Sequence, residues 1–543
     1  MKTLLFLFFP SLFFAQKFTQ QDSLMGSNTP ERAWWNVEKY EISVEPDFDS
    51  KTIKGSSKIY FSVLSEQKRI QIDLQNPLVI DSVIFEGKKL KATRLGDIYY
   101  IDFESKLNEN RNHNIYIYYS GTPKEAKNPP WDGGWIWGRD KLGRPWMSVA
   151  CQGIGASSWF PCKDYGADEP EDGSELTMTI STFLQAVSNG KRLSSFEQQN
   201  HKKAVTWKVK NPINSYNIIP NIGHYVNWTE NYSGEKGELT CSYWVLDYEF
   251  EKAKEQFKQV KNMLQSFENW FGPYPFYEDT YKLIQSPYLG MEHQSGIAYG
   301  NGFQNGYYGK DLSSSGWGLK WDFIIVHESG HEWFGNNISS KDVADMWIHE
   351  SFTNYSETLF TESFYGKQAG NEYVIGLRKN IKNDRPIIGK YDVRNEGSGD
   401  MYYKGANMIH TIRQIIQNDE KFRLLLRGLN KDFYHKTVTT EQIETYISNF
   451  TGINFSKIFD QYLRTNKLPI LEYKVKKGQL YYRWSNCVEQ FDMKVKISNS
   501  DFIEPRTEWK NGGNWNKKQK LLLDPNFYVD LKKVRLMRNK KHS

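Results

Sequence analysis

Two histidines four residues apart constrain this chain more than any other feature of its sequence. His327 and His331 lie in the segment FIIVHESGHEWFGN, which begins with four apolar residues. Side chains four apart on an α-helix project from one face, so both imidazoles would point to the same spot. Two such nitrogen donors can bind one zinc ion. The sequence therefore predicts a buried helix, starting near Phe323, that presents a metal site.

A carboxylate further along the chain would complete this site. After eighteen intervening residues beyond His331 comes Glu350, in a second helical segment, MWIHESFTNYSETLF. A His-His-Glu set leaves one position of a tetrahedral zinc ion open to water, as a hydrolytic site requires. Glu328 adjoins the first histidine but points to the side, where a general base would take a proton from that water. The alternative zinc motif with a third histidine ligand is absent, because Asn337 stands where that histidine would be.

A simpler interpretation of the motif is a charged helix with two surface histidines. Chance would produce the motif in roughly one chain per hundred of this composition. The strongly apolar flanks make a surface position unfavourable for this helix. We therefore favour the metal site.

The chain is long enough for several domains. Its 543 residues exceed one ordinary hydrophobic core. Short alternating segments rich in β-branched and aromatic residues predict a β-rich N-terminal domain over 16–245. Apolar residues at helical spacing follow, and they predict a first helix that ends at Gly272. The same spacing continues and predicts a mostly helical zinc domain over 246–466. Alternation returns over 467–543, which predicts a small C-terminal β domain. The predicted fold class is therefore α+β and multidomain.

Four tryptophans lie close together in the first domain, among turn glycines: Trp131, Trp135, Trp137 and Trp146. Aromatic faces can stack on sugars, which would make this a carbohydrate surface. We favour packing within the domain, or the lining of a shared cleft.

The first fifteen residues have the pattern of a secretory signal peptide. Lys2 precedes a mostly apolar run from Leu4 to Phe14, and Ala15 is a small residue before a polar stretch. The run is too short to span a bilayer comfortably. We expect cleavage after Ala15 and export to a periplasm or the medium, with no transmembrane segment in the mature protein.

Cysteine usage and net charge say less about the compartment and the partners of this protein. An oxidising compartment would permit disulfides among Cys151, Cys162, Cys241 and Cys487, and buried free thiols are the alternative. The formal net charge of +6 is small for this length, so no nucleic-acid partner is expected.

Further segments accompany the metal motif. They are WFPCKD (159–164), FGPYPF (271–276), GMEHQ (290–294), ADMWIHESFTNYSE (344–357) and YYKGANMIH (402–410). In their order and spacing, over about residues 40–465, they resemble the aminopeptidase N family of gluzincin zinc metallopeptidases. The resemblance implies a saddle-like N-terminal domain, a thermolysin-like catalytic domain, one zinc ion and peptide substrates with a free N-terminus. The chain looks like a short form, without the large helical C-terminal domain of many members.

The resemblance also implies roles for residues outside the metal set. Glu292 stands where the family binds the α-amino group of the substrate, and Gln152 stands where a glutamine assists it. Gly290 and Met291 precede Glu292 in the same segment and are implied to bind substrate as well. Tyr402 matches the tyrosine whose hydroxyl stabilises the oxyanion of the tetrahedral intermediate.

Two more positions follow from the same segments. Asp345 is implied to orient a ligand histidine as a hydrogen-bond acceptor. Tyr403 adjoins Tyr402 and is not assigned a role. The family's GxMEN reads LGMEH here, with Leu289 and His293 at the changed positions. We expect both to face the substrate, so a substrate preference is not transferred from the family.

These observations predict an exported zinc aminopeptidase that hydrolyses the N-terminal bond of peptides with an activated water. Two alternatives stay open. A zinc endopeptidase of thermolysin type would use the same metal ligands without the amine-binding glutamate. An inactive relative would serve as a scaffold. The preferred first residue and the oligomeric state are left open.

Overall fold

The computed structural model describes residues 17–497, 502–516 and 520–535. They form a β-rich part, a mostly helical part and a small set of C-terminal strands, which confirms the predicted fold class. The predicted signal segment, 1–15, lies outside the described residues. No helix of the described chain combines the length and the apolar character needed to cross a bilayer.

The first part is built on an eight-stranded sheet. Its helices are α1 Gln20–Gly26 and α2 Pro30–Ala33, and its strands are β1 Trp35–Asp47, β2 Thr52–Val63, β3 Gln67–Asp73, β4 Val79–Phe85, β5 Lys88–Leu90, β6 Ala92–Leu95, β7 Ile98–Leu107, β8 Asn112–Gly121, β9 Gly134–Arg139, β10 Pro145–Ala150, β11 Ser174–Ser181, β12 Gln185–Val187, β13 Lys191–Gln198, β14 Lys202–Val209 and β15 Asn221–Gly223. The large sheet has the order β13-β14-β11-β1-β2-β8-β4-β5. Two smaller sheets have the orders β3-β7-β6 and β12-β15-β10-β9. Buried side chains alternate along most of β1, as expected for a strand with one covered face.

The tryptophans of the first part mostly pack inside it. Trp135 and Trp137 are buried, with ring centroids 5.2 Å apart. Trp146 donates to the hydroxyl of Tyr225 at 2.9 Å. Trp131 is 64% exposed and lies at a cleft described below. These positions agree with the expectation that the four tryptophans pack within the domain or line a cleft.

A five-stranded sheet joins the two main parts. Its strands are β16 Tyr225–Gly234, β17 Gly237–Leu246, β18 Tyr281–Gln285, β19 Gly290–Met291 and β20 Ile297–Tyr299, in the order β16-β17-β18-β20-β19. Strand β17 pairs in parallel with β18. The predicted boundary after residue 245 therefore separates the β16-β17 hairpin from the sheet to which it belongs. Alternation marks a strand but does not indicate which distant strand it pairs with.

The helical part carries the metal motif. Its helices are α3 Phe250–Gln256, α4 Gln259–Phe271, α5 Phe323–Gly330, α6 Trp347–Tyr365, α7 Lys367–Gly376, α8 Tyr403–Ile416, α9 Asp419–Asp432, α10 Thr440–Thr451 and α11 Ser456–Leu463, and a short parallel pair consists of β21 Ile338–Ser340 and β22 Lys436–Val438. The helix predicted to end at Gly272 is in fact two helices, α3 and α4. At the break, Phe257 packs its ring against Tyr243 and Tyr299.

Two buried helices, α5 and α6, position the metal motif. Asp322 caps α5, because its carboxylate accepts hydrogen bonds from the backbone nitrogens of Ile324 and Ile325. Every residue of α5 is buried, as the apolar lead-in predicts. In α6 the buried run extends from Trp347 to Thr361. Helices enclosed to this degree hold their side chains in fixed directions.

The C-terminal strands close the described chain. They are β23 Ile470–Lys476, β24 Gln479–Ser485, β25 Val495–Lys496, β26 Phe502–Ile503, β27 Lys510–Asn514 and β28 Asp530–Lys533. Four of them form a sheet in the order β27-β24-β23-β28, and β25 pairs with β26. All four cysteines of the chain are free thiols in the structure, and three of them are buried.

Candidate metal centre

The two histidines predicted to bind the metal point at the predicted carboxylate. The Nε2 atoms of His327 and His331 lie 3.7 and 3.4 Å from Oε2 of Glu350. One donor atom from each residue lies within 4.8 Å of the other two. Helices α5 and α6 thus bring together the three residues of the predicted metal set.

The three residues fit a zinc ion. Donors about 2.0 to 2.2 Å from one tetrahedral ion stand about 3.3 to 3.6 Å apart, close to the separations between His and Glu. Oε2 of Glu350 is buried and has no hydrogen-bond partner among the described residues. A buried carboxylate oxygen without a partner is costly unless a cation neutralises it. The donor set, two imidazoles and one carboxylate, is that of hydrolytic zinc sites.

The second ring nitrogen of each imidazole, Nδ1, is hydrogen-bonded to another residue. Nδ1 of His327 lies 2.7 Å from Oε1 of Glu357, and Nδ1 of His331 lies 3.0 Å from the carbonyl oxygen of Phe334. Acceptors at Nδ1 keep the proton there and leave the Nε2 lone pair for a metal. Tyr373 also donates its hydroxyl to Glu357, at 2.6 Å. Glu357 is therefore a positioning residue for His327.

The prediction that Asp345 orients a ligand histidine is wrong. Its carboxylate accepts hydrogen bonds from the hydroxyl of Tyr391 and from the backbone nitrogen and hydroxyl of Thr440, so it ties a loop to the start of α10. Glu357 is instead the acceptor that orients a ligand histidine, His327. It follows Glu350 by seven residues, two turns of α6, and so lies on the same face. That spacing was visible in the sequence.

Glu328 stands beside the ligands with its carboxylate at the cleft. One of its oxygens lies within 4.8 Å of a ring nitrogen of His331 and an oxygen of Glu292. Gly290 permits the close approach of β19, because a Cβ there would lie 3.0 Å from Oε1 of Glu328 and 2.9 Å from Cδ1 of Ile324. Burial raises the pKa of Glu328 above its ordinary value. A raised pKa suits a group that takes up and returns a proton near neutral pH.

Two side chains fix the carboxylate of Glu292. Gln152 donates its amide to Oε1, and the hydroxyl of Tyr216 donates to the same oxygen at 3.1 Å. Asn336 donates to the backbone carbonyl of Glu292 at 2.7 Å. Sequence reasoning missed Tyr216, since nothing in its segment marks it as functional.

Tyr402 lies beside the metal ligand His327. Its ring stacks on the imidazole of His327, with centroids 6.1 Å apart. The hydroxyl of Ser351 in α6 donates to the carbonyl oxygen of Met401 at 2.6 Å, which anchors the start of α8. Burial raises the pKa of Tyr402 well above its ordinary value, so its hydroxyl keeps its proton and can donate it in a hydrogen bond. Tyr403 lines the same cleft.

These groups surround a cleft of about 390 Å³. Gln152, Leu289, Gly290 and Met291, the positions expected to bind or face the substrate, line it. His293 is fully buried and is not among the residues that line the cleft, contrary to the prediction that it faces the substrate.

Replacing Glu357 by alanine is expected to weaken zinc binding by about 10- to 100-fold, because His327 loses the acceptor that fixes its tautomer and its ring. Competition with a chelator of known zinc affinity measures the change. Asp345→Ala is the matched control, since Asp345 contacts neither imidazole, and it should bind zinc as the wild type does. Equal zinc affinity of Glu357→Ala and wild type would remove the positioning role.

Comparisons with known proteins cover both main parts of the chain. A family model described as the peptidase family M1 domain matches residues 255–462, and one described as the peptidase M1 N-terminal domain matches residues 36–217. Probable aminopeptidase 2 of Sulfurisphaera tokodaii is 21% identical, over 88% of this chain and 59% of its own length. Leukotriene A-4 hydrolase of Xenopus laevis is 22% identical, over 78% of this chain and 69% of its own.

Solved structures show the same fold. The M1 zinc metallopeptidase of Deinococcus radiodurans superimposes with a TM-score of 0.66 at 19% identity, over 80% of this chain and 94% of that one. A variant of that enzyme bound to a Tyr-Ser-Ala substrate gives a TM-score of 0.67 at 19% identity, over 81% and 96%. The chain spans 59% of the length of two archaeal relatives, probable aminopeptidase 2 and the leucyl aminopeptidase of Saccharolobus solfataricus.

Proposed function

This chain belongs to peptidase family M1, and we propose that it is a zinc aminopeptidase that removes single residues from the N-termini of peptides. The position of Glu292 carries the proposal, since one of its oxygens lies within 4.8 Å of donor atoms of Glu328 and His331. A carboxylate this near the metal ligands leaves space for one residue between a bound ammonium group and the scissile bond. Relatives that are named as aminopeptidases support the same activity.

His327, His331 and Glu350 would hold the zinc ion. When bound, zinc supplies Lewis-acid chemistry, in which a carbonyl group is polarised and the pKa of water falls. Glu328 takes a proton from the attacking water and passes it to the leaving amine. Its place on α5, directly after His327, keeps it beside the ligands but outside the metal set.

The remaining residues position the substrate. Glu292 binds the ammonium group of the first residue, in the orientation that Gln152 and Tyr216 impose. Tyr402 donates a hydrogen bond to the oxyanion as the carbonyl carbon becomes tetrahedral.

A free and an N-acetylated copy of the same peptide test the proposal. Acetylation removes the charge that Glu292 would bind, and a charged hydrogen bond contributes about 1.5 to 3 kcal/mol, so kcat/KM should fall by about 10- to 100-fold. Initial rates for the two peptides with the zinc-loaded enzyme give the ratio. Equal cleavage would indicate an endopeptidase of thermolysin type. Stoichiometric zinc without hydrolysis of either peptide would indicate a scaffold.

We also propose that the protein is exported. The basic start, the apolar run and Ala15 before a polar stretch support a cleaved signal over residues 1–15. N-terminal sequencing of the protein from its own cells and medium tests this. A chain that still begins at Met1 inside the cell would contradict export.

A further inference from the structure

A fourth carboxylate, that of Glu396, lines the catalytic cleft beside Glu292, Glu328 and Glu350. Glu396 is half-buried, and within residues 17–497, 502–516 and 520–535 its carboxylate makes no hydrogen bond or ion pair. The nearby guanidinium of Arg385 donates to the carbonyl oxygen of Gly397, at 2.8 Å. A carboxylate held partly out of water without a partner is ready to bind a cation.

Glu396 lies beside the place of the first substrate residue. Its Oε1 lies 3.9 Å from a Cβ built on Gly153. Gly153 follows Gln152, which holds Glu292. Burial raises the pKa of Glu396, the charges of Glu350 and Glu292 raise it further, and the charge of Arg385 lowers it. In a bound peptide, the amine of the first residue lies at Glu292 and its carbonyl group lies at the metal ligands. The side chain of that residue therefore starts between these two places.

The loop that carries Glu396 is fixed. Arg394 forms a buried ion pair with Asp164 at 2.6 Å, and it donates to the carbonyl oxygen of Ile154 at 2.6 Å. A Cβ on Gly397 would lie 1.7 Å from the carbonyl oxygen of Ile387, so the backbone after Glu396 packs tightly. A carboxylate held in place in this way loses little freedom when a ligand binds.

The charges of the cleft favour a cationic ligand. Among the described residues, four glutamates and no lysine or arginine line the cleft. The nearby guanidinium of Arg385 is not part of the lining and donates to the backbone of Gly397. Apolar and aromatic side chains also line the cleft, including Leu312, Tyr307 and the exposed Trp131. Such walls suit the aliphatic stem of lysine or arginine.

We propose that Glu396 makes this enzyme selective for peptides whose first residue is lysine or arginine. The inference rests on the proposed aminopeptidase activity and names its substrate class. The carboxylate pairs with the ammonium or guanidinium end of that residue, while Glu292 holds its α-amino group.

Rates on aminoacyl amides of arginine, lysine, leucine and methionine test the inference in the zinc-loaded enzyme. In the wild type, kcat/KM should be highest for arginine and lysine. Glu396→Gln should lower those two values by about 10- to 100-fold, because a charge-assisted hydrogen bond is lost. The leucine and methionine values should change by less than about threefold, since neither side chain reaches a charge.

Binding gives a second readout that is independent of turnover. In the zinc-loaded Glu328→Gln protein, calorimetry with arginine amide and leucine amide should show tighter binding of arginine amide, and adding Glu396→Gln should abolish the difference. A wild type that prefers leucine or methionine, or an equal loss for all four amides in Glu396→Gln, would overturn the selectivity. If no aminoacyl amide is hydrolysed, the proposed function fails, and the calorimetric comparison still decides whether Glu396 binds the cation.

Discussion

Glu328→Gln is expected to keep its zinc and to lose about 10²- to 10⁴-fold in kcat, the usual contribution of a positioned general base. Glutamine has nearly the shape of glutamate but cannot take a proton from water. Because His327, His331 and Glu350 form the metal set without Glu328, the metal content should not change. The pKa of Glu328 is raised by burial, so the group exchanges protons in the range where a peptidase works.

Zinc analysis and initial rates on an aminoacyl amide measure the two parts of this prediction. Glu332→Gln is the matched control. Glu332 is a buried carboxyl four residues further on, and it accepts a hydrogen bond from the backbone nitrogen of Ser295 at 2.8 Å, away from the cleft. Burial raises the pKa of Glu332 to about 8, so the group is already neutral and glutamine replaces it conservatively. Zinc-loaded Glu328→Gln with wild-type kcat would refute the role of Glu328.

The sequence predicted the metal set because its geometry is local. His331 follows His327 at a spacing of four, and helix periodicity alone places both imidazoles on one face. Glu350 is farther away, but it lies in a segment of helical pattern whose buried face packs on α5. The apolar flanks predicted that α5 is buried, and it is.

Contacts between distant segments were harder to predict. Asp345 and Glu357 are both acidic residues near Glu350. Spacing places Glu357 on the ligand face of α6, but its contact with His327 also depends on the packing of α6 on α5. Tyr216 reaches Glu292 from a different domain, across a separation of 76 residues. Pairing of β17 with β18 depends in the same way on tertiary structure. Periodicity describes one element at a time, so it carries no information about such pairs.

Glu396 illustrates the same limit at the cleft. In the sequence it is one acidic residue in a polar loop, which usually indicates a solvated surface. The ion pair of Arg394 with Asp164, a contact between the two main parts of the chain, turns this loop toward the catalytic residues. The substrate preference of this chain would thus be set by an interdomain contact, while its chemistry is set by two helices.

Tyr402→Phe is the second substitution with a large expected effect, a loss of about 10²- to 10³-fold in kcat with little change in KM. The lost hydroxyl is a donor that acts on charge developing in the transition state, so binding of the ground state should be nearly unaffected. The ring of phenylalanine can still stack on His327, which keeps the metal ligand in place.

Steady-state kinetics on one aminoacyl amide separate kcat from KM, and two further variants decide the assignment. Tyr355→Phe also removes a buried hydroxyl, one that lies 3.0 Å from Nδ1 of His410, and it should retain kcat because it is remote from the cleft. Tyr403→Phe tests the neighbouring tyrosine. If Tyr403→Phe loses more activity than Tyr402→Phe, the oxyanion donor is Tyr403. If neither loses more than about tenfold, the oxyanion is stabilised without a tyrosine, because removal of one such donor ordinarily costs at least about a hundredfold.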